Sequence, residues 1–139
     1  MKRKIKITGL SLVCILAVMV IGFYLYVNDY YSASSSLEEY QARYQDLEIV
    51  EHKNYISLVD EDSSDKGVIF YPGGKVEAIA YLPLMAALAK EGYQTYLVEM
   101  PFNLAVFGVN RAEDVIAENP QIKEWYIGGH SLGGAMASS

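Results

Sequence analysis

The sequence predicts an α/β chain in which a mostly parallel sheet is covered by helices on both faces, preceded by one N-terminal transmembrane helix. Three observations predict it. From Gly67 onward, short apolar runs rich in β-favouring residues alternate with segments of helical spacing, a pattern that calls for right-handed crossovers between parallel strands. Two of those runs end in glycine-rich turns, and in such sheets ligands bind beyond the carboxyl ends of the strands. Ahead of this region, Ile7 to Val27 forms a block of about 21 residues without a charged side chain, roughly 32 Å long as a helix and so able to cross a bilayer.

Lys2, Arg3, Lys4 and Lys6 precede that block, and the positive-inside bias places this end in the cytoplasm and the rest of the chain on the outer face. Tyr24, Tyr26, Tyr30 and Tyr31 suit the far interface. The rival is a cleaved signal peptide, whose apolar stretch is usually about 7–15 residues followed by small residues. The run here is longer, and Tyr31-Ser32-Ala33 is a poor cleavage site. The expected location is therefore the cell membrane, single-pass, with the domain on the extracytoplasmic side. Cys14, the sole cysteine, lies inside the apolar block, so no intrachain disulfide can form and no cysteine-rich metal site exists. The formal net charge is -6, and setting the basic flank aside leaves the remainder more acidic still. An acidic surface argues against a nucleic-acid partner.

Residues 1–27 read as basic flank and anchor, and 28–46 as a spacer, serine-rich from Ser32 to Ser36 with a helical stretch from Leu37 to Asp46. Residues 47–139 read as the globular part. It opens with two short antiparallel strands, Leu47 to Val50 and Tyr55 to Asp60, joined by a turn at His52-Lys53-Asn54. Val68 to Tyr71 is a strand that stops at Pro72-Gly73-Gly74. Val76 to Lys90 places Ile79, Leu82, Leu84, Met85 and Leu88 near helical spacing and ends at Gly92, a natural C-terminal cap. Tyr93 to Val98 is the next strand, Arg111 to Glu118 a second helix, and Glu124 to Ile127 a strand leading into Gly128-Gly129-His130-Ser131.

Gly129-His130-Ser131-Leu132-Gly133 fits G-x-S-x-G between a strand and a helix start, followed by small Gly134 and Ala135 that let the helix approach closely. In that setting the pattern is a nucleophile elbow, with Gly129 and Gly133 as its glycines: the serine occupies a strained turn, and side chains at the flanking glycine positions would strike neighbouring backbone. A helix start after it aims N–H groups at developing negative charge. An inert N-cap serine is the competing reading of Ser131, and the glycines on both sides argue against it. His130 is disfavoured as a base because neighbours in a tight turn point apart. His52 lies in the hairpin and reads as a turn histidine, and Glu99 as a loop acid that follows a strand. Phe102 to Phe107 is apolar and fits either an acyl pocket or core.

Gly-His-Ser131-Leu-Gly-Gly and the loop Tyr71-Pro72-Gly73-Gly74-Lys75 together resemble the α/β-hydrolase superfamily, especially its small, lid-poor members related to dienelactone hydrolases, over roughly Gly67 to Ser139. The resemblance implies Ser131 as nucleophile and an oxyanion hole made by the backbone N–H groups of Leu132 and Gly74, with Lys75 as the alternate donor. It implies a small-molecule acyl or ester substrate, with neither metal nor organic cofactor. In that superfamily an acid and then a histidine follow the nucleophile in chain order, whereas the eight residues after Ser131 contain no Asp, Glu or His. The expectation is an incomplete α/β-hydrolase fold cut after the elbow, whose complete relative continues for on the order of 100 residues. Two functions follow: a membrane-anchored serine hydrolase when complete, or a catalytically inactive membrane protein or interaction fragment.

Overall fold

The computed structural model describes residues 2–138; the side chains of residues 2–8 and 10, and with them the basic flank Lys2, Arg3, Lys4 and Lys6, lie outside that description. Contacts divide the chain into a unit ending at Tyr30 and a unit beginning at Tyr31. The first unit is one helix, α1 (Lys2–Asn28). Leu12, Leu16, Val18 and Met19 are exposed along it, and Cys14 is a free, exposed thiol. Its length and apolar composition are enough to cross a membrane, a property N-terminal signal sequences share.

The second unit is built on a five-stranded sheet: β1 (Glu48–Glu51), β2 (Tyr55–Val59), β3 (Lys66–Tyr71), β4 (Gln94–Val98) and β5 (Glu124–Gly129), in the order β1-β2-β4-β3-β5. The sequence predicts a mostly parallel sheet, and here the structure differs. β3 pairs parallel with β4 and with β5, and β1 pairs antiparallel with β2 as expected, but β2 also pairs antiparallel with β4, so the hairpin joins the parallel strands in one mixed sheet. The hairpin does not stand apart as its own ribbon: β2 inserts beside β4, with Ile56 opposite Leu97.

Four helices complete the unit: α2 (Leu37–Arg43), α3 (Leu82–Lys90), α4 (Arg111–Glu118) and α5 (Leu132–Ala137). Strand alternation decides which face each one covers. Ile56, Leu58 and Leu97 point to one side and meet Tyr40 of α2 and Leu82, Met85, Ala86 and Ala89 of α3. Tyr55, Ile69, Tyr71, Tyr96 and Val98 point to the other and meet Ala112 and Val115 of α4 and Met136 and Ala137 of α5. Both faces of the central strands are thus covered, which is why they read as continuous apolar runs. Thr95 on β4 is polar yet fully buried; its Oγ1 donates to the carbonyls of Leu58 (3.1 Å) and Met85 (3.4 Å), tying β2 to α3.

Helix boundaries follow local chemistry. Ser36 and Glu39 form a reciprocal capping box on α2. The single helix expected over Val76 to Lys90 is instead a 3-10 turn, Ala78–Tyr81, followed by α3. Pro83 explains the break: lacking an N–H, it fits the first turn of α3 but not the interior of a longer helix. Leu84, expected on the apolar face, is exposed. α3 closes as expected, with Gly92 at φ 90° donating its N–H to the Ala89 carbonyl at 2.9 Å.

Candidate active site

β5 ends at Gly129 and α5 starts at Leu132, so the chain reverses through His130 and Ser131. Ser131 adopts φ 50°, ψ −118°, a conformation that costs a non-glycine residue on the order of 1–3 kcal/mol and persists only when its surroundings impose it. The surroundings here are backbone. A Cβ on Gly129 would lie 2.7 Å from Gly133 C and 2.8 Å from the Tyr71 carbonyl oxygen, and one on Gly133 would run into the carbonyl oxygens of Tyr71 and Pro72. The His130 N–H donates to Tyr71 O at 3.1 Å and the Gly133 N–H to His130 O at 2.9 Å, closing the turn against the end of β3. Ser131 occupies the N-cap position of α5, yet its hydroxyl makes no capping bond, and the residue is exposed.

The loop after β3 lies directly against this turn. A Cβ on Gly74 would meet Leu132 Cδ2 at 3.0 Å and Leu132 Cβ at 3.4 Å, so Gly74 and Leu132 are neighbours. The amides flanking Gly74 are both engaged: Gly73 N–H donates to the Tyr81 hydroxyl at 3.1 Å and Lys75 N–H to Asn103 O at 2.8 Å. Lys75, the alternate donor expected from sequence, therefore has its amide committed. On its outer side the loop pairs with residue 31, through Tyr31 N–H to Lys75 O at 2.8 Å and Glu77 N–H to Tyr31 O at 2.9 Å. Lys75, Phe102, Asn103 and Ser131 are the non-glycine residues at positive φ among the described residues. All four belong to this turn, this loop or the segment bonded to it, so the backbone strain of the domain is gathered at one place.

The His130 ring is engaged by Tyr81, with Nδ1 2.9 Å from the Tyr81 hydroxyl. His52 stacks on Tyr55 with ring centroids 4.3 Å apart, and its Nε2 is 3.0 Å from Ser57 Oγ. Glu99, just beyond β4, is half-buried and its N–H donates to Asn54 O at 2.9 Å. Burial pushes its carboxyl above the ordinary range; Glu51 and Glu77 add to the effect and Arg111 opposes it. The segment 102–107 is core only in part. Leu104 and Ala105 are buried, whereas Phe102, Val106 and Phe107 are exposed, with the two phenylalanine rings edge to face at 5.8 Å. Tyr71 carries a second role of which the sequence shows no sign. Its hydroxyl donates to Val109 O at 2.6 Å and accepts the Ala112 N–H at 2.9 Å, serving the N-terminus of α4, where Asn110 makes no side-chain cap. Among the described residues, no group of three or more His, Cys, Asp and Glu side chains is placed to hold a metal ion.

Two consequences are measurable. Gly133→Ala drives a methyl into two carbonyl oxygens, and overpacking against backbone is expected to lower the thermal midpoint by on the order of 10 °C; an unchanged midpoint would show that the turn has slack. Glu99 has a folded pKa above its unfolded one, so the stability tied to it is full below about pH 4.3 and is lost as pH rises through the folded value. Glu99→Gln is expected to raise the midpoint at pH 7 and to lose that advantage near pH 4.

A sequence profile described as the alpha/beta hydrolase family matches residues 67–139. No curated protein matches the chain. Among solved structures, the crystal structure of an esterase/lipase from an uncultured bacterium superposes with a TM-score of 0.53 at 12% identity, over 84% of this chain and 49% of its own. The likeness is one of fold, and this chain spans about half the length of that structure. With more than half of its residues inside the family profile, and with the strand–turn–helix around Ser131 inside that match, the chain belongs to the alpha/beta hydrolase family.

Proposed function

We propose that this chain carries the nucleophile of a membrane-anchored serine hydrolase, close to the dienelactone hydrolase-like branch of its family, which acts on small acyl or ester substrates on the extracytoplasmic side. The observation that carries the reading is Ser131: a residue at φ 50° in a turn closed by glycines, its hydroxyl exposed and uncapped. In this reading residues 1–27 are flank and anchor, 28–46 a spacer and 47–139 the hydrolase part.

Ser131 Oγ attacks the carbonyl carbon of the substrate while its proton passes to a base. The carbonyl oxygen, now an oxyanion, takes hydrogen bonds from the N–H groups of Leu132 and Gly74. Neither N–H is given to an acceptor among the described residues. Removing one such donor typically costs about 2.7–4 kcal/mol of transition-state stabilisation. Collapse expels the alcohol and leaves the acyl group on Ser131, from which water or another acceptor removes it. The base is assigned to a histidine from outside residues 1–139, because the two histidines of the chain are engaged elsewhere, His52 with Ser57 and Tyr55, His130 with Tyr81. The esterase/lipase of similar fold supports an ester substrate.

The test is to treat membranes bearing the full-length protein with a fluorescent fluorophosphonate and to map the adduct. Labelling at Ser131 that vanishes in Ser131→Ala, together with a fall of at least about a thousandfold in p-nitrophenyl ester hydrolysis, is the expected outcome. Labelling that survives Ser131→Ala contradicts the assignment, and no labelling at all favours a catalytically inactive, interaction-only protein.

A further inference from the structure

We propose that Tyr81 and His130 form a latch that positions the oxyanion loop, with the Tyr81 hydroxyl bridging the Gly73 N–H on that loop and the His130 ring on the nucleophile turn. The inference rests on the serine hydrolase reading and adds to it two positioning residues. Tyr81 ends the 3-10 turn Ala78–Tyr81 and is the N-cap residue of α3, and its ring lies 5.1 Å from that of Phe70 on β3. It is therefore carried by elements that belong to the core. Its hydroxyl has one hydrogen and two lone pairs. Gly73 N–H donates to it at 3.1 Å, and a second hydrogen bond of 2.9 Å joins it to His130 Nδ1, the hydroxyl donating or accepting there according to the imidazole tautomer. The three groups are in contact: a Cβ on Gly73 would sit 2.6 Å from His130 Nδ1 and 2.9 Å from the Tyr81 hydroxyl oxygen.

The latch matters because of where Gly74 stands. Gly73 is tied to Tyr81 on one side and Lys75 to Asn103 on the other, so the Gly74 amide is held between two fixed points. One of those points, the Tyr81 hydroxyl, is also tied to His130, the residue preceding Ser131. Donor and nucleophile are thus locked to each other across two chain segments 57 residues apart in sequence, from Gly74 to Ser131. Oxyanion stabilisation needs placement within about 0.5 Å, and a loop tethered on one side only has no means of guaranteeing it. His130, adjacent to the nucleophile and unsuited to be its base, gains a role that its position explains.

The experiment uses the full-length protein with Tyr81→Phe, which keeps the ring on Phe70 and removes only the hydroxyl. Hydrogen exchange at the Gly73 amide is expected to quicken by at least about tenfold while the β4 amides are unchanged. For p-nitrophenyl butyrate, kcat is expected to fall about 10- to 100-fold with KM moving less than about threefold, the signature of a contact realised in the transition state. His130→Ala is expected to do the same, His130→Asn, which keeps a polar atom near the Nδ1 position, to recover most of the rate, and the double variant Tyr81→Phe/His130→Ala to be no slower than either single one. Unchanged Gly73 exchange, kcat within about twofold of wild type, or additive losses overturn the latch. Wild-type protein with no turnover that Ser131→Ala abolishes is a different failure: it removes the hydrolase reading, and the latch's catalytic role with it.

Discussion

Everything at the candidate site depends on how closely the start of α5 approaches the end of β3. At Gly133 a single methyl group would overlap the carbonyl oxygens of Tyr71 and Pro72, and at Gly129 it would overlap Gly133, Gly134 and Tyr71. That approach lets His130 N–H reach Tyr71 O, turns the chain so sharply that Ser131 is left at positive φ, and sets Leu132 against Gly74. Move the helix outward by the width of a methyl group and the serine has no reason to hold its conformation. The two glycines are small because the backbone, not a ligand, occupies the space.

Strain of this kind has to be held by something rigid. Ser131, Lys75, Phe102 and Asn103 each carry a left-handed or related backbone, at on the order of 1–3 kcal/mol apiece for a non-glycine residue. The counterweight is the sheet beneath them, whose central strands are covered on both faces: Leu97 on one side of β4, Tyr96 and Val98 on the other, all but fully buried. On that second face burial, with Tyr55 beside it, pushes the Tyr96 phenol up to about 12. Strained loops on a well-covered sheet are the usual division of labour between chemistry and stability in such folds.

Much of this was legible in the sequence, and the misses have physical causes. α4 spans the residues that its pattern indicates, and β3, β4 and β5 lie within one or two residues of theirs, because their apolar runs and bounding glycines are local signals. The antiparallel hairpin and the parallel strands after it were each legible, but their union in one mixed sheet was not. Pattern distinguishes a hairpin from a crossover but does not say that β2 will take the place beside β4. The helix expected from Val76 yields to a 3-10 turn because Pro83 and the loop bonds to residue 31 claim its first residues, the second being a contact 45 positions away in sequence from Tyr31 to Val76. The elbow could be read because its glycines and serine fall within five positions, even though the backbone that Gly133 has to clear belongs to Tyr71 and Pro72. Tyr81 could not: a tyrosine in an apolar helical stretch looks like core, and only the folded chain brings its hydroxyl to Gly73 and His130.

The proposed chemistry stands or falls with the N–H groups of Leu132 and Gly74 converging on the place where an oxyanion forms beside Ser131. A crystal structure of the full-length protein carrying a phosphonate on the serine would show whether they do, since the phosphoryl oxygen stands in for the oxyanion. That oxygen is expected within about 2.7–3.1 Å of both nitrogens, with Ser131 still at positive φ. A phosphonyl oxygen turned to solvent, or bonded to side chains while either amide points elsewhere, would contradict the assignment.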